Sequence, residues 1–355
     1  MTRTIRALAG TAAAIVAMTG CTTTTRTTSS PASTEQGVVA PRDPIARSQL
    51  REQALDHLTT AANSADPQTR ANALEGLLSA PGRLSAIAAV GLADENEGVR
   101  SVAAMVAGKA RLRDLRAALT TLQYDDSPFV SASAIYALHE IGASVDPSPL
   151  GALLFDARSS RVRAHAAFTL GEMGDAAALP MLADAARFRS PSATVIEQRL
   201  LELQIAEAMV KLGDRTQLDS IRAALLPTSE DELEATVLAV QIIGSVEDRE
   251  SIPRLRFLTG FKDAGNKNRP PELLMAIAGS LGELNDNTGS FLVDPYLTSP
   301  NSMLRAQAAR AYGQIGIPEN LDKLAKLAED DSELVRVAAS TAILEILGSN
   351  QRASR

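Results

Sequence analysis

One short pattern returns nine times along this chain, and no other feature limits its architecture so strongly. A full copy reads Val162-Arg163-Ala164-His165-Ala166-Ala167-Phe168-Thr169-Leu170-Gly171-Glu172-Met173-Gly174, and another runs from Leu304 to Gly316. Taking the Arg of each copy, or its positional equivalent, as anchor places the copies at Arg70, Arg100, Ser131, Arg163, Glu202, Leu233, Pro271, Arg305 and Arg336. The spacings are 30, 31, 32, 39, 31, 38, 34 and 31 residues, too uneven for a coiled-coil heptad and suited to two-helix units joined by loops of variable length. Within a copy the apolar residues fall at offsets 0, 4, 7, 8 and 11, as in Val162, Ala166, Thr169, Leu170 and Met173. Those offsets trace one stripe on a helix of 3.6 residues per turn, so that face is expected to be buried.

Helix boundaries are marked too. Asp66-Pro67, Asp126-Ser127-Pro128 and Ser299-Pro300 place a capping oxygen before a Pro that fits the first helical turn. Gly142, Gly174, Gly213, Gly244, Gly282, Gly316 and Gly348 are expected to end helices in the left-handed conformation. A shorter apolar helix follows most copies, for example Ala178 to Ala186. Paired alanines such as Ala103-Ala104 and Ala308-Ala309 would let neighbouring helices approach closely.

The Val/Leu-Arg-x-x-Ala-Ala-x-x-Leu-Gly-x-x-Gly runs at Arg163 and Arg305, and less fully at Arg100 and Arg336, resemble the HEAT repeat. The closer likeness is to the short type found in phycobilisome lyases and many bacterial proteins. The copies at Glu202, Leu233 and Pro271 lack the anchor Arg but keep the apolar stripe. The resemblance implies an all-α fold, an α-α superhelix (solenoid) of about nine helical hairpins over residues 44–350, and usually a protein-binding scaffold. Composition agrees: 45% of residues are hydrophobic but only 3% aromatic, with no Trp, which suits a thin core of small aliphatic side chains. The expected shape is an elongated curved rod whose first helix, from about Ile45 to Ala62, caps one end with a polar outer face.

Residues 1–20 read differently. Arg3 and Arg6 precede a 12-residue apolar run, Ala7 to Met18, too short to span a bilayer. This is the form of a secretory signal peptide. Met18-Thr19-Gly20-Cys21 is similar to the lipobox of bacterial lipoproteins, which implies cleavage before Cys21 and acylation of its thiol. Cys21 is the chain's single cysteine, so no intrachain disulfide is possible. Residues 22–43 are rich in Thr, Ser and Pro without periodicity, and read as a tether spanning about 25 Å. Thr22 follows the Cys where an Asp would signal inner-membrane retention, which favours the outer membrane.

Charge narrows the partners. The chain carries −7, and removing residues 1–20 leaves 33 basic against 42 acidic side chains. A nucleic-acid partner is therefore not expected. Arg111, Arg113 and Arg116, the densest basic cluster, read as a solvated turn balanced by Asp114, Asp125 and Asp126.

Signs of catalysis are few. The histidines number three, His57, His139 and His165. His139-Glu140 invites comparison with deoxyhypusine hydroxylase, a HEAT-type enzyme that holds two irons with several His-Glu pairs. A single pair cannot fill such a site. Glu140 also shares its offset with Lys109, Glu172, Lys211 and Gln314, read as a polar surface position. His165 reads as a tolerated helix residue. No nucleophile elbow, phosphate loop, dinucleotide fingerprint or His-x-x-x-His occurs, so no catalytic residue, metal or cofactor is expected.

The two longest spacings are better candidates for function. Their extra residues are Arg187 to Thr194 and Phe261 to Pro270. Each holds a Phe among basic residues, the composition favoured by interface anchors. The candidate interaction residues are accordingly Phe188, Arg189, Phe261, Lys262, Lys267 and Arg269. The expected function is a lipid-anchored, non-catalytic envelope scaffold that binds a protein partner. The alternatives are an accessory protein that delivers a client or cofactor, and a self-assembling structural component.

Overall fold

The computed structural model describes residues 43–189, 193–226, 232–260 and 269–353. The segment read as signal peptide, lipidated Cys21 and tether thus lies outside the described residues, apart from Asp43. Among those described there is no strand, and the helices alternate between an outer and an inner row. In chain order the hairpins are α1 (Pro44–Ala61) with α2 (Pro67–Gly76), α3 (Pro81–Gly91) with α4 (Glu97–Lys109), α5 (Arg116–Leu122) with α6 (Pro128–Glu140), and α7 (Ser148–Asp156) with α8 (Ser160–Met173). They continue with α9 (Leu179–Arg187) and α10 (Val195–Lys211), α11 (Leu218–Ala223) and α12 (Leu233–Ser245), and α13 (Ile252–Gly260) and α14 (Pro271–Glu283). Two 3-10 segments, Asn287–Leu292 and Asp294–Tyr296, then stand before α15 (Ser302–Ile315), and α16 (Leu321–Leu327) precedes α17 (Glu333–Ala353).

The second member of each hairpin carries the repeated motif, and it packs on the corresponding helix of the next hairpin from α2 through to α17. Small residues set that spacing. A Cβ on Gly108 would stand 2.9 Å from the Cα of Ala137, and one on Gly171 would stand 2.7 Å from the Cα of Ala208. Gly244, Gly282 and Gly313 make the same close approach. Gly244 and Gly282 therefore lie inside helices and do not end them. The left-handed residue falls later, at Glu247 and Asn285, while Gly142, Gly174, Gly213 and Gly316 do take positive φ as expected. Gly348 lies within α17.

The same contacts correct the register of two copies. Gly244 faces Ser280 and Glu283 as Gly313 faces Ala342 and Glu345, so the sixth and seventh anchors are Thr236 and Leu274, one turn beyond Leu233 and Pro271. Caps agree in part: Asp66 Oδ2 accepts from the Thr69 N–H at 2.9 Å, with Pro67 opening the helix. At α15 the cap is Asn301, and Pro300 stands just outside the helix.

The largest departure from expectation is the shape. The last helix, α17, packs against α1 and α2, so the array closes on itself as a ring and does not end as a rod. One continuous core crosses the seam, joining Leu50, Leu58 and Leu77 to Val337, Ile343, Leu344 and Leu347. Polar pairs lock it: Ser64 Oγ donates to Glu333 Oε2 at 2.9 Å, and His57 Nδ1 lies 3.3 Å from Ser340 Oγ. The helix over Pro44–Ala61 exists as expected, but it buries Leu50, Ala54, Leu55 and Leu58 and is not a free cap. Closure has a simple cause. Both terminal hairpins carry the same apolar stripe as the interior ones, and bending the array until they meet removes both exposed ends from water.

Candidate interaction surface

The anchor arginines at Arg70, Arg100 and Arg305 join consecutive hairpins, while the last, Arg336, bonds only the Asp330 and Asp331 carbonyls among the described residues. Arg305 donates from Nε and Nη2 to the two carboxylate oxygens of Asp330, both at 2.7 Å, and from Nη1 to the Ser299 carbonyl at 2.7 Å. Arg100 bonds Asp125 and the Asp94 and Glu95 carbonyls in the same way, and Arg70 bonds Asp94 and the Ser64 and Ala65 carbonyls. Each of these carboxylates also accepts a backbone N–H two residues on, which shapes the loop entering the next inner helix. The guanidinium bonds hold Asp94 and Asp330 below the usual carboxylate range. Where the anchor Arg is missing, Arg222 on α11 supplies a similar fork to the buried Asp248.

Arg163 breaks this rule. Its side chain is 1% exposed, its Nε donates to the Leu154 carbonyl at 2.7 Å, and neither Nη1 nor Nη2 has a hydrogen-bond partner. Burial without a counter-charge pulls its pKa down. Arg100 and Arg305 reach an Asp 25 residues on, and at that separation from Arg163 stands Phe188. The Phe188 ring lies 4.6 Å from the guanidinium carbon and is itself 45% exposed.

Phe188 is one of a series. Val90, Tyr124, Phe155, Phe188, Leu226 and Phe257 are exposed, and each stands within three residues of the C-terminal end of an outer helix. Because the hairpins stack in register, these ends share one rim of the ring, and six consecutive hairpins each present a large apolar side chain there. Of the candidates named from sequence, Phe188 lies on this rim and Arg189 beside it pairs with Glu202. Arg269 is partly buried just before α14. Phe261, Lys262 and Lys267 lie outside the described residues.

The row read as polar surface is instead the inner wall of the ring. Lys109 reaches Glu172 two hairpins away at 3.8 Å, a contact open only to side chains on a concave face. Lys211 bonds Glu172 at 2.6 Å and Glu207 at 2.7 Å, and Gln314 donates to Glu283 at 2.9 Å. Burial pushes the Glu283 and Glu345 carboxyls up to about 7. Met105, Tyr136 and Phe168 form an apolar patch on the same wall.

The histidines are far apart in role. His165 Nε2 lies 3.0 Å from Ser133 Oγ, with the ring near Phe129 and Phe168, and burial lowers its pKa to about 4. His139 lies 3.5 Å from Glu140, and His57 sits at the seam. No three His, Cys, Asp or Glu side chains are grouped as metal ligands among the described residues. An open hollow of about 310 Å³ beside α2 and α4 contains Arg70 and Asp94, which are already paired with each other.

Residues 162–187 match the family model of the PBS lyase HEAT-like repeat. The chain carries a HEAT-like repeat. The match covers the α8 motif and the outer helix after it, an order that recurs along the described residues except between α14 and α15, where two 3-10 segments stand in place of the outer helix. No curated protein matches the chain. Among solved structures it is similar to human deoxyhypusine hydroxylase in complex with glycerol, at 20% identity and a TM-score of 0.34, covering 86% of this chain and 99% of that one. It is also similar to an engineered protein (16% identity, TM-score 0.33, 85% and 95% covered) and to a mutant of Kap121p (14%, TM-score 0.35, 84% and 37%).

Proposed function

We propose that this HEAT-like ring is a non-catalytic scaffold, anchored to the bacterial envelope through an acylated Cys21, that binds a protein partner along its rim. The observation that carries this reading is the rim itself, where an apolar series runs from Phe155 at 37% to Tyr124 at 81% exposure. Isolated exposed apolar residues are ordinary on protein surfaces. Six in consecutive hairpins on one edge form an arc, and aromatic side chains are favoured interface anchors. The polar side chains with catalytic potential are engaged elsewhere: His165 with Ser133, Lys211 with two glutamates, and Arg70 and Arg100 with aspartates. Anchoring through Cys21 rests on the Met18 to Cys21 sequence and the tether after it. No described helix is long and apolar enough to cross a membrane.

The test is affinity recovery from detergent-solubilised envelopes with the native chain and with a variant carrying Tyr124→Ala, Phe155→Ala and Phe257→Ala. The scaffold reading expects one defined protein to be recovered with the native chain and lost with the variant. Identical recovery with both, or only further copies of the chain itself, refutes it.

A further inference from the structure

We propose that Arg163 is a carboxylate-binding site for an acidic peptide segment of the protein partner, which supplies from outside the acid that other hairpins supply from within. The inference rests on the scaffold reading for the identity of the partner, though its chemistry stands on the geometry around Arg163. In this fold the anchor guanidinium has a defined ligand: at Arg70, Arg100 and Arg305 it is a carboxylate held by a two-pronged fork. Arg163 occupies the same motif position and is the most buried of the set, yet Nη1 and Nη2 have no acceptor.

A buried cation without acceptors is costly, and the cation–π contact with Phe188 offsets only part of that cost. A carboxylate would satisfy both nitrogens with charge-assisted bonds, in the planar geometry to which Arg is suited.

Access runs through Phe188. It caps the C-terminal end of α9 in extended conformation, φ −78° and ψ 127°, and nearly half of its surface already faces solvent. On this proposal the ring swings away from the guanidinium it covers to admit the acid, and remains on the rim to pack against an apolar neighbour of that acid. In sequence Arg158 and Arg161 flank Arg163, while Arg187, beside Phe188, is already paired with Asp184 at 3.0 Å. The expected ligand is therefore an Asp or Glu beside apolar residues in an extended segment.

Phe188→Asp places a carboxylate where the repeat spacing calls for one, and so blocks the site from within the chain. The full chain is titrated with a short fluorescein-labelled peptide alternating Asp and Leu, and with its Asn-for-Asp counterpart. The Asp peptide is expected to bind at least ~10-fold more tightly than the Asn peptide. Phe188→Asp should abolish that preference and raise the melting temperature, and Phe188→Asn should not raise it. Adding Arg163→Gln to Phe188→Asp should cancel the gain. No Asp-over-Asn preference in the native chain overturns the proposal whatever the melting temperatures do, as does a preference that survives Phe188→Asp. Failure of the scaffold reading looks different: no protein recovered from envelopes by any variant, with the peptide preference intact. If Phe188→Asp still recovers the partner that the rim variant loses, the rim stands and the Arg163 site falls.

Discussion

Replacing Asp330 with Asn should weaken the joint between the last two hairpins by about 2 kcal/mol, most of it through Arg305. The carboxylate receives two guanidinium bonds of 2.7 Å, and hydrogen bonds to charged groups contribute roughly 1.5–3 kcal/mol each. Exposed ion pairs are worth only about 0–1 kcal/mol, whereas losing one partner of a fully buried pair costs about 3–5. The side chains here are 17% and 12% exposed, and Arg305 keeps its bond to the Ser299 carbonyl, which places the loss between those limits. Asn retains an oxygen for the Ser332 N–H, so the loop is spared and the ion pair is what the substitution removes. A double-mutant cycle with Arg305→Gln and Asp330→Asn, followed by urea denaturation, isolates the coupling, expected near 2 kcal/mol. The Asp330 carboxyl is held below its ordinary value, chiefly by Arg305. Its contribution is therefore present above the unfolded pKa of about 3.9 and is lost as pH falls through the lower folded value. The coupling should be constant from about pH 5 to 8. A coupling under about 0.5 kcal/mol, or one that vanishes at neutral pH, would refute the view that these pairs join the hairpins.

Three further outcomes follow. Gly171→Val drives a branched side chain into the Ala208 backbone, 2.7 Å from where its Cβ would lie, and should destabilise by about 2–3 kcal/mol in urea titration, while Gly82→Ala, with open space around it, should change little. Burial raises the Glu345 carboxyl to about 7, so its contribution is full below the unfolded pKa near 4.3 and is lost as pH rises through about 7. The protection factors of the α17 amides, taken relative to intrinsic exchange at each pH, should fall across that window in the native chain, and Glu345→Gln should flatten the response. Cys21→Ser should move the protein from the membrane fraction to the soluble fraction, and continued sedimentation with membranes would exclude acylation as the anchor.

The inner helices were legible because their chemistry is local. A stripe at offsets 0, 4, 7, 8 and 11 needs no knowledge of the neighbouring hairpin, and Asp66-Pro67 marks a helix start by itself. Register failed at Leu233 and Pro271, where the loss of the anchor Arg left only apolar residues, and a shift of one helical turn preserves an apolar stripe. Gly244 and Gly282 looked like helix ends because Gly serves both left-handed turns and close packing, and only the neighbouring helix decides between them. Ring closure depends on pairs such as Ser64–Glu333, which lie 269 residues apart, and no short-range pattern encodes it. The polar row at Lys109, Glu172 and Lys211 was misplaced for the same reason, since a surface position on an open rod becomes an inner wall once the array bends. Phe188 was readable. The Arg100–Asp125 and Arg305–Asp330 separations already fix where an acid belongs, and a Phe 25 residues after Arg163 is visible without coordinates.

Closure is best tested by distance. In a Cys21→Ser background, spin labels at Ser64→Cys and Glu333→Cys should give a dipolar distance under about 20 Å, because the native side chains are in hydrogen-bond contact. Nine hairpins laid side by side at about 10 Å each without closing would hold the labels several tens of ångströms apart. A distribution centred at such long distances would mean that α1 and α17 are free ends, and the ring would be wrong.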